Sequence, residues 1–139
     1  MPDCPEIRAR NQLPPEPHIP PGHYPIAFAF IVYTDYMQLE RLFAFYLRST
    51  NHFCFALDKS SPPIFRARVK RLAACFPDNV HNPDEEYATS SEGKSLQLHA
   101  YFGCMQKLVG HKWEYLMLLE VSHSHSGGSA EIATDGHSE

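Results

Sequence analysis

The sequence lacks any apolar run long enough to cross a membrane. Its longest, Ile26 to Val32, falls far short of the roughly 20 residues a spanning helix needs, and its alternating aromatic and aliphatic residues suit a buried strand. Met1 to Gly22 shows no charged leader followed by an apolar stretch, so neither a signal peptide nor an anchor is read there. Neither end carries a long basic block and the formal net charge is -4, which argues against binding nucleic acid or an acidic membrane through bulk electrostatics. Close CxxC pairs are missing too. The four cysteines, Cys4, Cys54, Cys75 and Cys104, are widely spaced, so no metal cluster is expected, and they are either buried thiols or disulfides according to compartment. Neither GxGxxG nor GxxxxGK occurs, which excludes the two common ways of cradling phosphate on backbone amides.

What is present, over 139 residues, is enough for one folded unit. Pro14, Pro15, Pro17, Pro20, Pro21 and Pro25 crowd the first 25 residues, which therefore read as an extended lead-in that builds neither helix nor central strand. A strand over Ile26–Val32 is followed by Thr34 or Asp35 as a helix cap, then by Met37, Leu39, Leu42, Phe43 and Tyr46 at helical spacing. The unit repeats: a strand over His52–Leu57 leads to a helix over Ile64–Phe76 with Phe65, Val69, Leu72 and Ala73 on one face. A short third strand near Asn79–His81, a helix over Leu96–Val109 and a fourth strand over Trp113–Leu119 complete an α/β pattern. The fold class is α/β, a Rossmann-like, mostly parallel sheet over residues 26–120 with helices on its faces. Residues 121–139 turn to Ser, Gly and His and are expected to be disordered.

Open α/β sheets bind ligands at the carboxyl ends of their strands, which points to Tyr33, Thr34 and Asp35, to Asp58 and to Glu120. Asp58 stands about where a nucleotide-binding half-fold places an acid for ribose hydroxyls; its plainer reading is an acid capping the next turn. Asp84, Glu85 and Glu86 read as a solvated acidic loop, and His123, His125 and His137 as a solvated low-complexity tract.

Four ordered blocks carry a resemblance. Pro25 to Tyr33 with Gln38-Leu39-Glu40-Arg41-Leu42-Phe43, and Asn51-His52-Phe53-Cys54-Phe55-Ala56-Leu57-Asp58-Lys59-Ser60, are the first two. Val69 to Val80, around Ala74-Cys75-Phe76, and Cys104-Met105 with Trp113-Glu114-Tyr115-Leu116-Met117-Leu118-Leu119 are the others. Together they resemble the core-2/I-branching enzymes of glycosyltransferase family 14, from about Pro25 to Leu119. The resemblance implies a GT-A-like fold and UDP-N-acetylglucosamine as donor. It also implies inverting transfer to a glycan hydroxyl of a glycoprotein, and a Golgi-lumenal setting behind an anchor not seen in this chain. It implies no metal cofactor, and the sequence has no DxD. On matching positions Val32, Tyr33 and Asp58 would contact the uridine end of the donor. Tyr87 falls in a segment similar to a tyrosine- and serine-containing loop near the donor, at a longer spacing from Cys104 than the family's. The same resemblance implies that Cys54 pairs with Cys104, and Cys75 with an upstream cysteine, here Cys4.

The sequence departs from the family after the fourth strand, where Glu120-Val121-Ser122-His123 replaces the family's [NG]-x-D. Glu120 is not taken for the catalytic glutamate, and no catalytic residue is assigned: the expected base lies beyond this chain, which reads as a truncated donor half, inactive alone. The alternative is a non-catalytic α/β interaction or regulatory domain.

Overall fold

The computed structural model describes residues 3–15, 18–89, 94–121 and 129–134. Its elements run α1 (Cys4–Arg10), β1 (Ile26–Val32), α2 (Tyr36–Tyr46), β2 (His52–Leu57), α3 (Pro63–Cys75), β3 (Val80–His81), α4 (Lys94–Leu108), β4 (Tyr115–Val121) and β5 (Ser129–Thr134). The sheet order is β3-β2-β1-β4-β5. Its first four strands are parallel and β5 is antiparallel to β4. The α/β, Rossmann-like reading therefore holds.

Strand alternation sorts the residues of β1 to two faces. Phe28, Phe30 and Val32 join Phe53, Phe55 and Leu57 of β2 and Leu119 and Val121 of β4 in one core, roofed by α1, α2 and α3. The rings interlock: Phe53 stacks on Phe28 at 4.9 Å between centroids and meets Phe43 of α2 edge-on at 4.7 Å. Ala27, Ala29 and Ile31 face the other way with Cys54, Ala56 and Leu116, and there α4 packs through Ala100, Cys104 and Leu108. Small residues on that face let α4 sit close enough for the Cys54–Cys104 disulfide.

The amino ends of the strands are pinned by two buried asparagines. Asn51 Oδ1 accepts from the Ile26 amide at 3.0 Å while its Nδ2 donates to the Tyr46 carbonyl. Asn79 Nδ2 donates to the carbonyls of Arg48 and Asn51. These bonds satisfy backbone groups that the sheet ladder leaves over.

Two expectations are corrected. The first 25 residues are not wholly extended, because Cys4–Arg10 is helical. Pro5 lies in the first turn, where a missing N–H costs nothing, and Asp3 and Glu6 form a reciprocal capping box. The short helix is then fastened by the Cys4–Cys75 disulfide, by burial of Ile7 and by Arg10, which pairs with Glu40 of α2 at 2.6 Å. The expected disorder over 121–139 also fails in part: Val121 closes β4, and Ser129–Thr134 pairs with β4, where the edge of the sheet offers free ladder hydrogen bonds. Residues 122–128 and 135–139, with His123, His125 and His137, lie outside the described residues. Among the described residues no helix is long and apolar enough to cross a membrane.

Candidate functional site

The carboxyl ends of β1 and β2 are knitted together by backbone bonds that continue the parallel ladder. The Asp58 amide donates to the Val32 carbonyl at 2.9 Å, and the Tyr33 amide to the Val121 carbonyl at 3.1 Å. The Ser61 hydroxyl donates to the Tyr33 carbonyl at 2.8 Å, and the Lys59 amide to the Tyr87 carbonyl at 3.0 Å. Val32, Tyr33, Asp58 and Tyr87, spread over 56 positions of sequence, are thereby linked at the carboxyl end of the sheet.

Asp58 is fully buried. Its Oδ1 accepts from the amide and hydroxyl of Ser60, at 2.8 and 2.6 Å, in the side-chain-to-backbone turn that aspartate commonly forms. Its Oδ2 accepts from the Thr89 hydroxyl at 2.9 Å. The turn-capping role is thus realised. The Thr89 contact joins residues 31 apart and leaves no signal in local sequence. Tyr33 is half-buried at the rim. The Tyr87 ring packs against the small-residue core and 5.7 Å from His99, and its hydroxyl donates to Glu85 at 2.8 Å, which raises the phenol above its ordinary pKa.

The turn between β1 and α2 is unusual in a second way. Asp35 takes a left-handed backbone (φ 69°), tolerable for aspartate, and caps α2 by accepting from the Gln38 amide at 3.3 Å. Thr34 Oγ1 and Gln38 Oε1 are buried, and neither has a hydrogen-bond partner among the described residues. A buried polar atom left unsatisfied costs about 1–3 kcal/mol.

Other candidates are engaged elsewhere. Glu120, opposite Ile31 in the ladder, points to the α4 side and accepts from Gln97 Nε2 at 3.3 Å. The acidic loop does not gather its carboxylates: Asp84 pairs with Lys107 at 2.8 Å and Glu86 with Arg66 at 2.6 Å. A cleft of about 370 Å³ lies one strand away, where β3 stops after two residues; Leu57, Val69, Lys70, Asn82 and Glu86 line it, and Tyr33 and Asp58 do not.

Both disulfides implied by the resemblance, Cys54–Cys104 and Cys4–Cys75, are formed. Two constellations went unread in the sequence. One is a buried network in which Glu40 accepts from Arg10, Asn11 and the Tyr36 hydroxyl. Burial would raise the Glu40 pKa, but these donors override it and hold the carboxyl down at about 2. The other is a group of three histidines, His52, His81 and His111, at the amino ends of the strands.

The family model for the core-2/I-branching enzymes matches residues 26–123 of this chain, which includes both faces of the sheet and all four candidate residues. The chain belongs to the core-2/I-branching enzyme family. This family member is 31% identical, over 102 residues, to a mouse protein named beta-1,3-galactosyl-O-glycosyl-glycoprotein beta-1,6-N-acetylglucosaminyltransferase 4. It is 30% identical, over 100 residues, to the cattle transferase numbered 3 of the same name and to the corresponding protein of Bovine herpesvirus 4. The matches cover 68–69% of this chain and 21% of each relative, so the chain spans about a fifth of the length of these curated relatives.

Proposed function

We propose that the carboxyl-end crevice binds the nucleoside end of a UDP-sugar, UDP-N-acetylglucosamine first of all, as the donor part of a β-1,6-N-acetylglucosaminyltransferase acting on glycoprotein glycans. The observation that carries this reading is the convergence of Val32, Tyr33, Asp58 and Tyr87 at the strand ends, where an open α/β sheet takes its ligands. Tyr33 offers an aromatic face to the base. Asp58 accepts from a ribose hydroxyl, which takes the place of the Thr89 hydroxyl on Oδ2. Thr34 Oγ1 and Gln38 Oε1 supply further polar contacts at the same turn. The donor binds without a metal, in keeping with the missing DxD. Inverting transfer also requires a base for the acceptor hydroxyl and positive charge at the leaving diphosphate, and we assign neither role to any described residue. Two disulfides suit an oxidising lumen, such as that of the Golgi.

A second reading has one observation in its favour: Asp58 is buried and already bonded at both oxygens, as befits a non-catalytic α/β interaction domain. Isothermal titration of the chain with UDP-N-acetylglucosamine separates the two. Saturable heat that weakens about tenfold or more in Tyr33→Ala, consistent with about 1–3 kcal/mol for a lost base stack, supports donor binding. A folded, disulfide-intact chain that gives no heat supports the interaction domain.

A further inference from the structure

Strand alternation sends His52 and His81 to the same side of the sheet as Cys54, the side covered by α4. Cys54 and His81 are ladder partners, and His52 is two residues before Cys54. The Cys54–Cys104 disulfide draws the last turn of α4 over this corner, and the turn that follows the helix carries His111. Each histidine stands on fixed backbone. His52 follows Asn51 and His81 lies two residues after Asn79, the two buried asparagines that pin the strand starts. His111 donates its amide to the Leu108 carbonyl at 3.0 Å, in a turn also held by Trp113 Nε1 on the same carbonyl at 2.8 Å and by the Glu114 amide on Pro25.

The three rings cluster. Their centroids are 5.2 Å apart for His52 and His81, 4.4 Å for His52 and His111, and 4.0 Å for His81 and His111. His52 Nδ1 and His81 Nε2 are 3.0 Å apart, and one nitrogen from each of the three lies within 4.8 Å of the others. Around a tetrahedral ion with nitrogen at about 2.0–2.1 Å, neighbouring nitrogens are about 3.3 Å apart, close to the His52–His81 separation; His111, stacked on the other two rings at 26° and 21° between planes, must turn for its lone pair to converge with theirs. All three side chains are half-buried, which leaves a fourth position open to water.

We propose that His52, His81 and His111 form a binding site for one borderline divalent transition ion, zinc in the first instance, at the amino end of the sheet. Imidazole suits such ions, and carboxylate-preferring magnesium and calcium are excluded by an all-nitrogen set. The ion sits opposite the crevice, at the other end of the strands, and ties the two-residue edge strand β3 to β2 and to the turn before β4.

The test uses the 139-residue chain carrying His123→Ala, His125→Ala and His137→Ala, so that the tail histidines contribute nothing. Titration with Zn²⁺ should give one equivalent bound and a higher Tm, and Co²⁺ should give the visible absorption of a four-coordinate site. His111→Gln, in a surface turn, and His81→Gln should each weaken Zn²⁺ by about tenfold or more and abolish the Tm rise, while His99→Gln leaves both unchanged. The site is overturned if the tail substitutions alone remove binding. It is equally overturned if the folded chain takes up no zinc, or if circular dichroism shows His111→Gln folded and binding zinc as the parent does.

Discussion

The two faces of one sheet are built by opposite means. On one, five phenylalanines, Phe28, Phe30, Phe43, Phe53 and Phe76, are fully buried between the sheet and three helices. On the other, Ala27, Ala29 and Ala56 lie flat, and one helix, α4, is held close by a disulfide and by Trp113. The outer side of α4 and the turn after it show Leu98, Phe102, Met105 and Val109, at helical spacing and 36–61% exposed, whereas the aromatic side is finished by a capped and ion-paired α1. Volume stabilises one face and close approach the other, so truncation should harm the first and enlargement the second.

Truncation on the aromatic face is expected to have the largest effect. Phe53→Ala removes a ring in contact with Phe28 and Phe43 and should cost about 3–5 kcal/mol in chemical denaturation. Removing the covalent tie of the other face with Cys54→Ala and Cys104→Ala should cost about 2–4 kcal/mol, given a separation of 50 residues. Enlargement harms the small-residue face: Ala29→Leu should destabilise by about 1–3 kcal/mol by pushing α4 away.

Next comes the charge network that closes the aromatic face. Arg10→Ala leaves Glu40 buried without its cation, at a cost of about 1–2 kcal/mol near neutral pH, because Arg10 is 35% exposed to screening solvent and Asn11 and Tyr36 still donate. Because the folded Glu40 pKa is depressed from 4.5 to about 2, its stabilisation is fully present above pH 4.5 and is lost as pH falls toward 2. Denaturation measured across that window should show the wild type losing stability and Arg10→Ala losing less. The smallest effect belongs to the outer side of α4: Phe102→Ser should change stability by no more than about 0.5 kcal/mol. A loss of several kcal/mol there would mean that the exposed stripe is packed.

Much of the fold was legible in the sequence. The period-two run Ile26–Val32, the helical spacing of Phe65, Val69 and Leu72, and the strand His52–Leu57 all fold as read, since each follows from local periodicity. The resemblance added the pairing Cys54–Cys104 and Cys4–Cys75, which spacing alone left open. What escaped was non-local. The helix at Cys4–Arg10 is short for its own propensity and owes its place to contacts with Cys75 and Glu40, far along the chain. The contact of Thr89 with Asp58, Thr34 Oγ1 with no partner among the described residues, and the meeting of His52, His81 and His111 likewise depend on how strands align.

The most direct test of donor binding is to follow the backbone amides of the ¹⁵N-labelled chain by NMR during titration with UDP. The amides of Tyr33, Thr34 and Asp58 through Ser61, at the carboxyl ends of β1 and β2, should shift saturably, while those of His52, His81 and His111 at the opposite end stay in place. Shifts confined to the amino end, or none in a well-dispersed spectrum, would contradict the account.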